Sequence, residues 1–222
     1  MYNEGTKMSE EKKRALEILR KLEKHYSDAP PTYLNYNNPF EMVIATILSA
    51  RATDAGVNKV TPELFAKYPT PKALANSSID EVATIIRPCG AYNKKASYIR
   101  ETARMLSEDY NGVVPSTMEE LVKFSGVSRK TANVVLQVVF KQAEGIIVDT
   151  HIMRVTVRLG LSEHDKKPDK IEKDLMQLLP KDRWIDYARL VGAHGRQTCK
   201  AHHPKCSVCS INKLCPSSDL EN

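Results

Sequence analysis

Apolar positions along the 222-residue chain recur at helical rather than strand spacing. Leu16, Ile18, Leu19 and Leu22 form a stripe on a charged segment that runs from about Ser9 to His25 and is stopped by Pro30 and Pro31. A second helix is signalled by Asn38-Pro39-Phe40-Glu41, where asparagine can cap, proline suits the first helical position and glutamate occupies the capping-box position. It runs apolar to Ala50. Further starts fall at Thr70-Pro71, at Ser78, and at Ser116 with Glu119 three residues on, while Pro69, Gly90, Gly112, Pro115, Gly160, Pro168 and Pro180 punctuate the gaps. Pro62, inside VNKVTPELFAKY, should kink or restart its helix. Strand signals are nearly absent, so the pattern predicts an all-α string of short helices, most of about 8 to 16 residues.

A chain of this length can bury the core of one large domain or two modest ones. It has no internal repeat or low-complexity tract, and its one shift in composition comes after about Val191, where the helical pattern yields to a tail rich in Cys, His and Lys. Lysine and arginine total 33 against 27 acidic residues, giving a formal net charge of +6 and a pI near 9.0. That balance suits a polyanionic partner, although a basic soluble protein with no such partner has the same charge. No stretch approaches the roughly 18 to 20 unbroken apolar residues of a membrane helix, and residues 1–29 are polar and charged rather than signal-like. An intracellular protein is expected, without a membrane partner. No feature marks an oligomer interface, and a monomer is expected.

The segment SGVSRKTANVVL, residues 125–136, places a turn and two cations before an apolar run. LVKF ends one helix and TANVVLQVVF continues another, so Ser125 to Ser128 should form a hairpin, with Gly126 free to adopt positive φ. The N–H groups of Val127, Ser128, Arg129 and Lys130 would then be donors at a helix N-terminus, where the macrodipole favours an anion such as a DNA phosphate. An ordinary helix-turn-helix connection with solvated cations accounts for the hairpin alone. Two features point further. A lysine in the opening turn of an apolar helix is expected beside like charge and partly out of water, and both favour the neutral, nucleophilic amine. In GIIVDTHIMRV, Asp149 follows an apolar run at the start of another helix, an N-cap position that leaves room for a second role. An amine and a carboxylate facing each other could attack a sugar C1′, displace a base and move protons for elimination.

Of the five cysteines, Cys89 stands alone, while Cys199, Cys206, Cys209 and Cys215 follow the spacing Cys-x6-Cys-x2-Cys-x5-Cys. In a reducing compartment this crowding argues for a metal site over disulfides. Four thiolates suit a tetrahedral zinc or a 4Fe-4S cluster. Only Cys206 and Cys209 form a Cys-x-x-Cys pair, which favours the cluster over a two-armed zinc site. No acidic residue occurs from Val191 to Ser218, and the loop from Cys199 to Cys206, with Lys200 and Lys205, offers a basic rim for phosphates.

Together these segments resemble the endonuclease III family of helix-hairpin-helix DNA glycosylases, from about Asn38 to Pro216. NPFEMVIATILSARATD, GVSRKTANVVL, VDTHIMRV and the cysteine spacing all look like family motifs in family order. The resemblance implies an all-α, two-domain fold, with a six-helix barrel over residues 32–142 that carries the hairpin. Residues 1–31 and 143–222 would form a discontinuous domain around a 4Fe-4S cluster, and damaged double-stranded DNA would bind across the cleft between the two domains. It further implies a bifunctional DNA glycosylase and abasic-site lyase of base-excision repair, acting on oxidised pyrimidines and associated with the nucleoid. Lys130 would be the Schiff-base nucleophile, Asp149 its carboxylate partner, and Gly126, Val127, Ser128 and Arg129 with Lys130 the phosphate-binding hairpin.

The sequence departs from its relatives in four places. Arg51 stands where a glutamine plugs the gap left by an extruded base, and Ala91 where a second, bulkier wedge is usual. Ser128 replaces the hairpin's second glycine and Ser125 its proline. Arginine at the first position resembles the T/G mismatch branch, which makes a thymine or uracil mismatch glycosylase the alternative within enzymes. The lysine favours the bifunctional reading, since the adenine and T/G branches generally put another residue there. A noncatalytic DNA-binding module and an electron-transfer protein are the alternatives from other classes.

Overall fold

In the computed structural model, which describes residues 8–218, the chain is built of helices and turns, and no strand occurs among the described residues. The helices are α1 (Glu10–His25), α2 (Pro39–Ser49), α3 (Asp54–Lys67), α4 (Pro71–Ala75), α5 (Ile79–Ile85), α6 (Tyr92–Asp109), α7 (Met118–Leu121), α8 (Arg129–Val139), α9 (Thr150–Arg158), α10 (Pro168–Leu178) and α11 (Trp184–Gln197). The chain divides into two compact units, Thr32–Glu144 and the described parts of Met1–Pro31 with Gly145–Asn222. None of these helices is long and apolar enough to cross a membrane.

The unit Thr32–Glu144 is organised on α2, whose residues Phe40 to Leu48 are all buried. Its sequence is apolar on every side because α3, α6 and α8 all pack against it. Met42, Ile44, Ile47 and Leu48 are each 1% exposed or less, and burial of each stabilises by roughly 1.5 to 3 kcal/mol relative to exposure. The start of α2 is fixed by Asn38, whose Oδ1 accepts the Glu41 N–H at 3.0 Å. The Glu41 carboxylate reaches back beyond the cap, accepting the Asn37 N–H at 2.7 Å and its Nδ2 at 2.9 Å, and Asn38 Nδ2 at 3.2 Å. Glu41 is only 6% exposed, so these bonds replace the water its charge has lost.

Several local expectations need correction. Pro62 does not restart α3, which continues from Asp54 to Lys67. Val57, Val60, Thr61, Leu64 and Phe65 are buried along it, so packing outweighs the one backbone bond that proline removes. The capping box before α7 lies one residue later than expected: Thr117 Oγ1 accepts the Glu120 N–H at 3.4 Å and donates to its carboxylate at 2.9 Å. That helix is a single turn ending at Leu121, so LVKF is mostly turn. Ser78 precedes α5 without a side-chain cap bond. On α1 the fully buried set is Ala15, Ile18, Leu19 and Leu22, with Leu16 half-buried, because the i, i+3, i+4, i+7 row places Ala15 rather than Leu16 on the inner face. Finally, α11 runs on past Val191 to Gln197.

In the second unit α1 and α9 flank α11. Tyr187 of α11 is fully buried, and its hydroxyl meets Thr156 Oγ1 at 2.7 Å. A Cβ added at Gly195 would lie 3.0 Å from His151 Cβ and 3.2 Å from Val155 Cγ2, so glycine is what lets α11 approach α9 this closely. Tyr26, just past α1, bonds through its hydroxyl to His194 Nδ1 at 3.0 Å and Thr198 Oγ1 at 2.8 Å.

The α2 cap yields a prediction. Asn38→Ala should cost about 1 kcal/mol, and Glu41→Ala, which strands the Asn37 donors, about 1 to 3 kcal/mol. Urea denaturation would measure both, and an unchanged midpoint for Glu41→Ala would show that its carboxylate does not hold the turn before α2.

Candidate functional site

The hairpin between α7 and α8 is shaped from below by α6. Gly126 takes a left-handed φ of +79°, and a Cβ added there would fall 2.7 Å from Cδ2 of Tyr98 and 3.0 Å from its Cγ. The turn therefore lies directly on the tyrosine ring. One helical turn along, Thr102 Oγ1 donates to the Ser125 carbonyl at 3.0 Å. Val127 is 8% exposed and seated in the core, and its N–H donates to the Phe124 carbonyl at 3.0 Å. The expectation that this amide stays open to a ligand is thus wrong, because the turn closes on itself before the helix begins. Ser128 is the N-cap of α8, with φ −81° and ψ 168°. Its Oγ accepts the Thr131 N–H at 3.2 Å. This is extended backbone open to any residue, so serine in place of glycine brings no strain and supplies a cap.

Arg129 Nη2 donates to the Glu144 carbonyl at 2.9 Å, and the Glu144 N–H donates to Asn133 Oδ1 at 3.2 Å. These bonds tie α8 to the chain leaving this unit. Lys130 is exposed at the second position of α8. The expectation that it sits partly out of water is overturned, because the apolar face of α8 begins only at Ala132. Lys94, also exposed, places its Nζ 5.5 Å from the centre of the Tyr98 ring, beneath the same turn.

Asp149 lies in the other unit and is the N-cap of α9. Its two oxygens are differently engaged. Oδ1 accepts the N–H groups of His151 at 2.9 Å and Ile152 at 2.8 Å, whereas Oδ2 faces Arg196 Nη2 at 3.4 Å. Burial, and then the charge of Arg196, pulls the neighbouring His151 below the usual histidine value.

Arg51, just past α2, and Ala91, just before α6, are both exposed, and both are non-glycine residues in the left-handed region, at φ +56° and +46°. Such a conformation costs of order 1 kcal/mol or more and persists where the surroundings impose it. Lys95 Nζ bonds the Leu48 and Cys89 carbonyls, which lie just ahead of Arg51 and Ala91 in the chain.

Cys199, Cys206, Cys209 and Cys215 line one cavity of about 280 Å³, walled by Val155, Leu159 and Ile211. Burial pushes the Cys209 and Cys215 thiols up, and the neighbouring cysteines push the same way. Arg158 Nη1 donates to Cys199 Sγ at 3.3 Å, the Cys215 thiol donates to the Arg158 carbonyl at 3.4 Å, and His194 Nε2 lies 3.7 Å from Cys209 Sγ. Burial, and then the charge of His25, pulls His194 down to about 4, so its ring is neutral near pH 7. Among the described residues no three His, Cys, Asp or Glu side chains close around a point that would hold a single ion. Lys200 and Lys205 are exposed on the loop between the first two cysteines. Cys89 is 2% exposed and lies in the core of its own unit.

Several supporting residues escaped the sequence reading. Tyr98 and Thr102 hold the hairpin. Arg154 bonds the Cys199 carbonyl through Nε at 3.2 Å and Nη2 at 3.0 Å, and the Gly195 carbonyl at 2.8 Å. Arg158 bonds the Lys200 and Ala201 carbonyls at 2.7 and 3.1 Å. A faint signal existed on α6: Lys95 and Thr102 fall in register with its apolar row of Ala96, Ile99, Ala103 and Leu106, where a polar side chain must find a partner.

Residues 44–181 match the profile of the HhH-GPD superfamily base excision DNA repair proteins. Endonuclease III of Synechocystis sp. is 44% identical over 212 residues, which is 96% of each chain, and that of Escherichia coli is 41% identical over 204, which is 92% of this chain and 95% of its relative. Among solved structures, a trapped covalent endonuclease III–DNA intermediate superimposes with a TM-score of 0.86 at 42% identity, covering 93% of this chain and 96% of that one. A hairpin seated on an aromatic ring, a lysine opening the next helix and four cysteines on one cavity thus occur in a chain that belongs to the endonuclease III family of the HhH-GPD superfamily.

Proposed function

We propose that the chain is a base-excision DNA glycosylase and abasic-site lyase that removes oxidised pyrimidines from duplex DNA. The observation that carries the reading is the exposed Lys130 at the opening of α8, directly after a turn whose shape is fixed by Tyr98 and Thr102, in a chain of this family. The early amides of α8 lack intrahelical acceptors and share the positive end of its dipole, which suits a DNA phosphate at Ser128 to Lys130, beside the Gly126 turn.

In this reading the Lys130 amine attacks C1′ of an extruded nucleotide. The glycosidic bond breaks, the base leaves with its electron pair and a proton, and the sugar opens to an imine on the lysine. Removal of a C2′ proton then expels the 3′ phosphate and cuts the strand by β-elimination. Asp149 would be the partner that moves protons in these steps. One carboxylate oxygen is occupied as the cap of α9, and the other is the atom that would move protons, held in orientation by Arg196. Arg51 and Ala91 would enter the gap left by the extruded nucleotide, and Lys200 and Lys205 would meet phosphates. The enzyme would act inside the cell, on the nucleoid.

The donor set fits a 4Fe-4S cluster. Burial and then the neighbouring cysteines push the Cys209 and Cys215 thiols up, a conflict that metal coordination of the thiolates relieves, and the chain has one Cys-x-x-Cys pair, Cys206 and Cys209, rather than the two such arms common in zinc sites. Cys199, Cys206, Cys209 and Cys215 would hold it. When bound, the group supplies iron–thiolate cross-links to the tail and a capacity to carry one electron; the chemistry at the sugar stays with Lys130 and Asp149.

Borohydride trapping on a duplex with one thymine glycol should give a covalent adduct with wild type and none with Lys130→Ala. Trapping and excision confined to T:G or U:G duplexes would replace this reading by the mismatch one, and failure to trap even a preformed abasic site would leave a noncatalytic DNA-binding protein. Gly126→Ala forces a side chain against Tyr98 at positive φ, a strain of about 1 to 2 kcal/mol, and should weaken duplex binding about tenfold; binding at the wild-type level would remove the hairpin from the DNA interface. For the cluster, the purified protein should carry about four irons per chain with visible absorption, both lost in Cys209→Ser; stoichiometric zinc instead would contradict the assignment.

A further inference from the structure

Lys95 is 5% exposed on the inner face of α6. Among the described residues its Nζ meets no carboxylate but two backbone carbonyls, Leu48 at 2.8 Å and Cys89 at 2.7 Å. Burial pulls its amine below the ordinary lysine value, so a cation is kept here against its loss of hydration. A position needed only to fill the core would be served better by a methionine or leucine of similar volume.

What the ammonium gains is one acceptor from each of two separate segments. The Leu48 carbonyl lies in the last turn of α2, among those that a helix end leaves without an intrahelical donor, and a cation there also suits the dipole. The Cys89 carbonyl stands at the end of the 3-10 turn Arg87–Cys89, which is closed by the Gly90 N–H on the Arg87 carbonyl. Just beyond each acceptor stands a left-handed, exposed, non-glycine residue, Arg51 after Leu48 and Ala91 after Cys89. Ala91 caps α6 without a side-chain bond of its own, so its strained backbone is imposed from below.

We propose that Lys95 is a positioning residue for nucleotide extrusion: its single ammonium sets the separation of the Arg51 and Ala91 loops, so that both enter the gap in the duplex together. The inference rests on the glycosylase reading and on these two residues facing DNA. Without the shared donor each loop relaxes independently, and the wedge loses its spacing. The hairpin does not depend on Lys95, since Tyr98 and Thr102 hold it. Loss of Lys95 should therefore damage extrusion of a stacked base and largely spare imine formation at a nucleotide with no base to unstack.

The test compares wild type, Lys95→Met and Lys95→Gln as cluster-loaded protein on two duplexes, one with thymine glycol and one with a preformed abasic site. Single-turnover excision of thymine glycol should fall about tenfold in Lys95→Met, equivalent to about 1.4 kcal/mol. It should fall less in Lys95→Gln, whose amide can still donate to one of the two carbonyls. Borohydride trapping at the abasic site should stay within about threefold of wild type, on the reasoning that such a nucleotide needs little unstacking. Equal losses on both duplexes would make Lys95 a general structural residue and overturn the proposal, as would unchanged excision by either folded variant. Failure of both variants to fold would overturn it too, by making the lysine a requirement of the fold. A wild type inactive on both duplexes would remove the glycosylase reading and this inference with it, whereas an active wild type matched by its variants would remove this inference alone.

Discussion

A polar group on the buried face of a helix must find a partner, and on α6 this constraint decides where the exposed loops of its unit lie. Ala96, Ile99, Ala103 and Leu106 commit that face to the core, so Lys95 and Thr102, in the same register, cannot reach water. Each turns to backbone carbonyls at the ends of neighbouring segments. Core packing and site geometry are thereby one arrangement: the apolar row fixes the helix, and the polar members of the row fix the loops. Tyr98 extends this logic by shape, its ring lying where only a glycine can turn above it.

The second unit uses arginine for a related purpose. Arg154 and Arg158, one turn apart on α9, direct five hydrogen bonds to the backbone from Gly195 to Ala201. The guanidinium fork suits adjacent carbonyls better than a lysine would. The first cysteine of the tail is therefore fixed by protein bonds of its own, and the close approach of α11 to α9 at Gly195 brings the two arginines within reach.

Much of this was legible in the residues. The helical period, the Asn38 cap with Glu41, the Asp149 cap and the Gly126 turn were readable because each depends on neighbours within a few positions. The fold class followed from the same local signals. What escaped depends on distant contacts. A restart at Pro62 was one of the two outcomes its sequence suggested because nothing local shows how firmly Val57, Val60 and Leu64 are packed around it. Lys130 looked half-buried because its helix is apolar, yet the burial begins two residues later. Tyr98, Thr102 and Lys95 act across 20 or more residues of chain or on other elements, and no spacing rule connects them to their partners.

Ser128 shows what a single residue can do for the whole turn. At φ −81° the position has no need of glycine, and a serine narrows the conformations open to the unfolded chain, an effect of about 0.4 to 1 kcal/mol for such replacements. It also ties its own hydroxyl to the first turn of α8. The order of the hairpin is thus built in twice, through a restricted chain and through a bond to α8, and any partner meeting it would lose less conformational entropy than one that had to close a flexible loop around itself.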